Sequence, residues 1–248
     1  MTGTHPGTDA IVEAGPSAVQ FHAYRNDDQW AWSIAVAVSS ALQRDLQQHP
    51  RARLLVSGGT TPAPVFRALS KAPLQWNRID IALVDERWVQ PGDHDSNAWL
   101  VREHLLRNHA AAARFETLTR AGQSIEEAVN AANLHARQRA GIVLLGMGDD
   151  GHTASLFPHM RGLDVALASA NDYVAVDASG CTGAGPWQRR ISLTPAGLAP
   201  AHTRMLLLRG QGKRDVFERA LQGDNPRDMP VRVAFTTPGA PLHVHWCP

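Results

Sequence analysis

The sequence has few cysteines and no long apolar run. Its two cysteines among 248 residues, Cys181 and Cys247, lie far apart and form no CxxC pair. We therefore expect neither a disulfide framework nor a structural zinc site. No apolar stretch approaches the roughly 20 residues that span a bilayer, and the N-terminus lacks the basic start and apolar core of a signal peptide. These features predict a cytoplasmic protein.

The sequence also lacks an excess of one charge. Its 24 lysines and arginines balance 23 aspartates and glutamates, which gives a formal net charge of +1. The basic residues are scattered, and the densest pair, Arg189 and Arg190, stands alone, whereas a nucleic-acid interface needs clustered basic residues. We expect no nucleic-acid or membrane partner. A small anionic molecule is the favoured ligand, and the protein is expected to be a monomer or a small homo-oligomer.

Short apolar runs alternate with amphipathic segments along most of the chain. Helices are predicted at 27–48, 61–70, 95–106, 124–139 and 212–223. Strands are predicted at 52–59, 79–89, 141–148, 173–178, 204–210 and 231–235. Strands and helices that alternate through short glycine-rich joints indicate an α/β fold. We predict three layers: a mostly parallel, open, Rossmann-like sheet with helices on both faces.

The first 18 residues differ from the rest because they are polar and rich in glycine, proline and threonine. We expect residues 1–18 to form a flexible N-terminal tail. No internal repeat or low-complexity linker interrupts the remainder, so residues 19–248 are predicted to form a single domain. Residues 177–190 are predicted as the longest loop, and its glycines and proline favour mobility.

Three predicted strands end in stretches of unusual residues: Ser57–Pro62 and Gly146–Pro158 are polar and rich in glycine, and Asp85–Trp88 is charged. In open parallel sheets, ligands bind beyond the carboxyl ends of the strands. The three stretches are therefore expected to face one crevice.

The stretch SGGTTP has the composition of a phosphate-binding loop. Gly58 and Gly59 would let the backbone approach a ligand closely, and the following helix start would offer unpaired N–H groups. The hydroxyls of Ser57, Thr60 and Thr61 add further donors. An ordinary strand-to-helix turn with a hydroxyl cap is the alternative, because short glycine motifs are not specific.

The other two stretches carry groups suited to proton transfer and charge stabilisation. Asp85 and Arg87 are predicted to share one face of a strand, with Glu86 on the other; a plain salt bridge is the alternative. His152 lies beside glycines, with Asp149 and Asp150 within reach, and imidazole suits proton transfer near neutral pH. No HExxH or similarly dense ligand spacing occurs, so no metal is expected.

Together these motifs resemble the 6-phosphogluconolactonase family. The family pattern runs SGGxTP, then DERxVP with a following SN, then GxGxDGHTASLFP, and it is matched by Ser57–Pro62, Asp85–Asn97 and Gly146–Pro158. A RITLT-like run appears as RISLT from Arg190, and a GxGKR stretch contains Lys213. The order and spacing of the motifs hold over nearly the whole chain.

The resemblance implies hydrolysis of 6-phospho-D-glucono-1,5-lactone to 6-phospho-D-gluconate in the oxidative pentose phosphate pathway, without an organic cofactor. It implies His152 as the general base, Asp150 as its orienting partner and Arg87 as the group that stabilises the oxyanion. The remaining implied site residues bind the substrate and its phosphate: Ser57, Gly58, Gly59, Thr60, Thr61, Arg190, Lys213, Asp85 and Asn97. The implied partner is a small sugar-phosphate lactone.

The chain departs from the family pattern at Gln90, which displaces a proline, and at His159, which replaces a glycine. The nearest alternative is glucosamine-6-phosphate deaminase/isomerase, whose segment continues GHIAFNEP; here Leu156 and Phe157 take the places of Asn and Glu. A sugar-phosphate-binding regulator would carry a DNA-binding extension or lack His152. A serine esterase would need a GxSxG elbow, which the sequence does not contain.

Overall fold

The computed structural model describes residues 10–14, 17–136 and 140–248. Its strands are β1 (Ala10–Ala14), β2 (Ser17–Ala23), β3 (Ala52–Val56), β4 (Ile79–Leu83), β5 (Asp85–Arg87), β6 (Arg114–Glu116), β7 (Ile142–Leu145), β8 (Tyr173–Asp177), β9 (Arg189–Leu193), β10 (Thr203–Arg209) and β11 (Leu242–Cys247). Its α-helices are α1 (Asp27–Gln48), α2 (Ala63–Leu69), α3 (Asn97–His104), α4 (Ile125–His135), α5 (Leu163–Leu167), α6 (Pro195–Leu198), α7 (Gln211–Leu221) and α8 (Val233–Thr236). Short 3-10 helices span Trp76–Arg78, Asn108–Ala112, Thr182–Ala184 and Pro230–Arg232. Within these residues, no helix has the length and apolar character that a membrane crossing needs.

The main sheet has the strand order β1-β2-β11-β10-β7-β3-β4-β6. Strand β1 is antiparallel to β2, and the seven strands from β2 to β6 in this order run parallel to one another. Every residue of β3, β4 and β7 is buried, as expected for parallel strands covered on both faces. A second, antiparallel sheet has the order β5-β9-β8.

Helices cover both faces of the main sheet. Arg214 of α7 lies over the ring of Trp246, 4.9 Å from its centroid. The Sγ of the next residue, Cys247, lies 3.2 Å from Asp27 of α1. Because consecutive strand residues point to opposite faces, α1 and α7 lie on opposite sides of β11. The predicted three-layer α/β fold is confirmed.

Two predicted helices begin where their capping residues place them. The Asn26 side chain accepts a hydrogen bond from Gln29 N at 2.9 Å at the start of α1, which satisfies a backbone N–H that has no partner within the helix. At α4, Ser124 and Glu127 form the capping box that their spacing predicts, with each side chain bonded to the other's backbone N–H.

The predicted strand at 79–89 is wrong as a single element, because it forms two strands in two sheets. Val84 lies between them: its N–H donates to Val56 O in the main sheet at 2.9 Å, and its carbonyl accepts from Leu193 N of β9 at 2.8 Å. The chain therefore leaves the main sheet at Val84 and enters the small one. This change of sheet carries Asp85 and Arg87 over the carboxyl edge of the main sheet.

The predicted strand at 231–235 is also wrong, because the segment forms the last 3-10 helix and α8. The buried guanidinium of Arg232 donates to Ala220 O and Asn225 O, both at 2.9 Å. These tertiary contacts override the β propensity of the valines.

The N-terminal region contains two strands that the sequence does not predict. Within the predicted flexible tail, Ala10–Ala14 forms β1, which pairs with β2; the flexibility of residues 1–18 stays a prediction. Residues 1–9, 15 and 16 lie outside the described residues, as do residues 137–139 of the helix predicted at 124–139. The boundary of the single domain at 19–248 stays a prediction.

Candidate active site

Loops at the carboxyl ends of the parallel strands form one cleft of ≈ 390 Å³. They follow β3, β4 and β7, and α7 contributes from the end of β10. The predicted site residues on the cleft wall are Ser57, Gly58, Gly59, Thr60, Thr61, Asp85, Arg87, Asn97, His152, Arg190 and Lys213. The twelfth predicted residue, Asp150, contacts His152. Sequence motifs far apart in the chain thus meet at one place, as the parallel-sheet rule requires.

His152 and Asp150 form a hydrogen-bonded pair within a tight turn. Gly148 N donates to His152 O at 2.8 Å, and Gly151 has a φ of +81°, a conformation that glycine adopts without steric cost. Within this turn His152 Nδ1 lies 2.6 Å from Asp150 Oδ1, and His152 N donates to the same oxygen at 3.0 Å. The ring packs against Phe157, with centroids 4.3 Å apart. The imidazole therefore has a fixed orientation at the cleft wall.

The charge state of Asp150 decides which nitrogen of His152 carries the proton. Burial acts to raise the pKa of Asp150, but the hydrogen bond and charge of His152 outweigh it, so the pKa lies below its ordinary value. An ionised carboxylate only accepts hydrogen bonds. We therefore assign the proton of the neutral ring to Nδ1, which leaves the lone pair on Nε2 for a substrate or water.

Two arginines meet across the β5–β9 pair, where Arg87 lies directly opposite Arg190. Cross-strand partners project from the same face of a sheet. Arg87 Nη1 donates to Asp95 O at 2.6 Å, which fixes a half-buried guanidinium at the cleft. Asp85 Oδ2 lies 4.0 Å from Arg190 Nη1. Among the described residues Asp85 thus pairs with Arg190 and not with Arg87, the salt bridge that the sequence leaves open as an alternative.

Arg190 is buried, and most of its contacts are to the protein. Nε donates to Trp187 O at 2.8 Å, Nη2 donates to Ala184 O at 2.5 Å, and Nη1 donates to Ser155 Oγ at 3.4 Å. Burial lowers its pKa, although the nearby Asp85 carboxylate acts in the opposite direction. Its guanidinium has more N–H bonds than these partners use. Arg190 therefore supplies positive charge to the cleft and also holds the loop that precedes β9.

The glycine-rich loop after β3 presents its backbone to the cleft. Gly59 has a φ of +82°, and Thr60 is exposed. In the part of the chain that the structure describes, the backbone N–H groups of residues 58–61 donate to no protein acceptor. A chain of such N–H groups suits an anion.

Ser57 differs from the other hydroxyls of this loop. Its Oγ donates to Leu144 O at 2.9 Å and accepts from Gly146 N at 3.2 Å. The hydroxyl therefore links the carboxyl ends of β3 and β7. The structure places this predicted ligand in the wall of the cleft but gives its side chain a structural partner on each side.

Lys213 enters the cleft from the first turn of α7 and contacts the loop after β7. Its Nζ donates to Met147 O at 2.8 Å and lies 2.8 Å from Asp149 Oδ1. The Asp149 carboxylate is 89% exposed, so this ion pair is screened by water and contributes little to stability. The ammonium is thus available for exchange between Asp149 and another anion.

Asn97 lies between the glycine-rich loop and Asp85. Its Nδ2 donates to Asp85 O at 2.8 Å and to Asp85 Oδ1 at 3.3 Å. The buried Oδ1 has no hydrogen-bond partner among the described residues. Ser96 is the N-cap of α3, which leaves the Asn97 side chain to the cleft.

Glu86 is a structural residue behind the cleft wall whose role the sequence does not reveal. Its fully buried carboxylate accepts four hydrogen bonds of 2.8 Å: Arg87 N and Asn97 N bind Oε1, and Ser96 Oγ and Ala98 N bind Oε2. Burial raises the pKa of Glu86, and these donors act against that rise. The alternation of strand side chains predicts that Glu86 points away from Asp85, but its position at the start of α3 depends on the tertiary structure.

Among the described residues, no group of three or more histidine, cysteine, aspartate or glutamate side chains is arranged to hold a metal ion. The described cysteines, Cys181 and Cys247, are both free. The cleft presents an imidazole, two guanidinium groups, a lysine ammonium and backbone N–H groups.

The chain is similar to known proteins over nearly its whole length. A family model described as "Glucosamine-6-phosphate isomerases/6-phosphogluconolactonase" matches residues 25–246. A Xylella fastidiosa protein named 6-phosphogluconolactonase is 49% identical over 227 residues, covering 90% of this chain and 94% of that protein. A Pseudomonas aeruginosa protein of the same name is 40% identical over 242 residues, covering 94% of this chain and 97% of that protein. The crystal structure of a 6-phosphogluconolactonase from Shewanella baltica has a TM-score of 0.84 at 32% identity, covering 92% of this chain and 97% of that one.

Proposed function

The chain belongs to the family of glucosamine-6-phosphate isomerases and 6-phosphogluconolactonases, and we propose that it hydrolyses 6-phospho-D-glucono-1,5-lactone to 6-phospho-D-gluconate. The substrate carries a phosphate at one end and a lactone carbonyl at the other. One observation carries the proposal: the glycine-rich loop, with backbone N–H groups that are unpaired among the described residues, lines the same ≈ 390 Å³ cleft as His152, whose ring is paired with Asp150. The product would enter the oxidative pentose phosphate pathway.

In this proposal the lone pair on His152 Nε2 removes a proton from water. The water oxygen forms a bond to C1 of the lactone, and the carbonyl oxygen becomes an oxyanion. Arg87 stabilises the oxyanion, a contribution commonly worth a few kcal/mol. When the carbonyl re-forms, the bond between C1 and the ring oxygen breaks. The ring oxygen takes the proton back from His152 and becomes the C5 hydroxyl, so the enzyme returns to its starting state.

The phosphate is proposed to bind the backbone N–H groups of residues 58–61, with positive charge from Lys213 and Arg190. Thr60 and Thr61 would add hydroxyl donors. Binding energy from this remote group positions the lactone beside His152, and such positioning lowers the barrier of the chemical step. The contacts of Lys213 support this role, because its partner Asp149 is exposed and replaceable.

The deaminase alternative requires a carboxyl group that this chain lacks at the corresponding place. Leu156 and Phe157 stand where the deaminase motif has Asn and Glu. Both side chains are almost completely buried in a small apolar cluster below His152. They provide no group for the proton transfers of sugar-ring opening, so hydrolysis of the lactone is favoured.

The test is acid release from freshly prepared 6-phosphogluconolactone, corrected for spontaneous hydrolysis, beside ammonia release from glucosamine 6-phosphate. We expect catalysed acid release and no ammonia. His152→Ala should reduce kcat by about 100-fold or more, in the range for loss of a general base, whereas the exposed His49→Ala should match the wild type. Ammonia release without lactone hydrolysis would assign the chain to the deaminase branch.

A further inference from the structure

Gly183 lies against the Asp150–His152 pair. A Cβ atom at this position would lie 2.5 Å from Asp150 Oδ2 and 3.1 Å from His152 Nδ1. Carbon and oxygen atoms do not approach so closely without a bond, so only glycine leaves room for the carboxylate. We propose that Gly183 is a positioning residue that holds Asp150 against His152. This inference rests on the proposed function, because it assigns the pair to catalysis.

The opposite side of the carboxylate is closed in the same way. A Cβ on Gly148 would lie 2.6 Å from Asp150 Oδ1 and closer still to the ring of His152. Oδ1 therefore faces Gly148 and His152, while Oδ2 faces Gly183. The carboxylate is confined between two stretches of backbone, and its rotation away from the ring is blocked.

The segment that carries Gly183 is fixed to the protein at several points. Arg190 donates to Ala184 O at 2.5 Å and to Trp187 O at 2.8 Å. Trp187 Nε1 in turn donates to Asp95 Oδ2 at 2.9 Å. Ala184 is buried in the small apolar cluster below His152. The loop that the sequence predicts as mobile thus forms a fixed wall behind the catalytic pair, with the buried Arg190 as its anchor.

Gly183→Ala tests the role of this wall without straining the backbone, because the φ of Gly183 lies outside the left-handed region. The methyl group should displace the Asp150 carboxylate and release the His152 ring. We expect kcat to fall about 10- to 100-fold, as for an ångström-scale misplacement of a reacting group. KM should change less than about threefold, because the phosphate site is untouched. The matched control is Gly92→Ala, which has open space around its Cβ position.

A spectroscopic measurement separates positioning from a general loss of structure. In 15N NMR spectra of histidine-labelled protein, with His152 assigned through His152→Asn, the wild type should show the proton on Nδ1. In Gly183→Ala the tautomer with the proton on Nε2 should appear, because the carboxylate no longer selects Nδ1. An unchanged tautomer in a folded variant would overturn the proposal. This readout does not depend on lactonase activity, so it remains decisive if the wild type fails to hydrolyse the lactone.

A double-mutant cycle shows whether Gly183 acts through Asp150. If it does, Gly183→Ala should reduce kcat in the wild type but produce no further loss in Asp150→Asn, because coupled residues are non-additive. An equal fold-loss in both backgrounds would contradict the proposal. Thermal unfolding of all four proteins identifies variants that are merely destabilised.

Discussion

The side-chain amide of Asn97 occupies the place that a Cβ atom on Gly58 would need. An added Cβ would lie 2.7 Å from Asn97 Nδ2 and closer still to Oδ1. The amide cannot swing away freely, because Nδ2 also donates to Asp85 O. The Asn97 side chain therefore packs the glycine-rich loop against the β5 segment.

Gly58→Ala should consequently impair substrate binding. The methyl group would push Asn97 and the loop apart, and we expect KM for the lactone to rise about tenfold or more, by analogy with overpacking penalties of 1–3 kcal/mol. Steady-state kinetics measure this change. On an Asn97→Ala background, Gly58→Ala should raise KM little, because the amide that obstructs the methyl group is absent. A similar rise in KM on both backgrounds would contradict this explanation.

Lys213→Ala should mainly raise KM. Hydrogen bonds to charged groups are worth about 1.5–3 kcal/mol, so we expect an increase of about 10- to 150-fold. The value of kcat should stay near that of the wild type if Lys213 binds the phosphate equally in the ground and transition states. The other lysine in the chain, the exposed Lys71, provides the control. A fall in kcat with KM unchanged would place Lys213 at the reacting end of the substrate.

Glu86→Gln should lower the free energy of unfolding. Glutamine keeps one acceptor oxygen but turns an NH2 group toward donors such as Ala98 N, so buried groups lose their partners. Such losses cost about 1–3 kcal/mol, measurable by urea denaturation. The control is Glu127→Gln in the exposed capping box of α4, where water can replace the lost bond. Equal effects at both positions would show that burial is not the cause.

His245 should make stability depend on pH. Burial, with His22 and His243 nearby, lowers its pKa to about 3, and Tyr24 Oη lies 2.8 Å from its Nδ1. Between pH 6.5 and about 3, His245 is therefore protonated in the unfolded state but neutral in the folded state. The free energy of unfolding is highest above pH 6.5 and falls as the pH is lowered toward 3. For one proton, the free energy of unfolding changes by about 1.4 kcal/mol per pH unit.

The measurement is urea denaturation at a series of pH values between 7 and 4. His245→Asn removes the titrating group but keeps a polar atom near Tyr24 Oη, so its stability should fall less steeply with acid. The exposed His49→Asn should retain the wild-type slope. An identical slope in His245→Asn would assign the acid sensitivity to other groups.

The sequence by itself determined the α/β class and the location of the site. Apolar runs such as Ile142–Leu145 end abruptly in glycines and charged residues, and parallel strands must all present their carboxyl ends at one edge. These two facts bring His152, Arg87 and Gly58 to one cleft without any knowledge of side-chain contacts.

The sequence did not determine how the side chains at that edge are used. Ser57 has the composition of a phosphate ligand, yet its hydroxyl bonds Leu144 and Gly146 in the neighbouring strand and loop. The alternation of strand residues turns Glu86 away from the cleft, but only the docking of α3 adds three donors to the one that Arg87 N provides.

Tertiary structure also decided where strands end and which loop is fixed. Periodicity does not distinguish one long strand from β4 and β5, because the break at Val84 depends on bonds to Val56 and Leu193. The sequence does not distinguish Gly183 from other loop glycines, because its contact with Asp150 depends on how Arg190 binds the segment that carries it. Local patterns record the preferences of each residue, whereas a hydrogen bond or a close contact requires two residues that only the folded chain brings together.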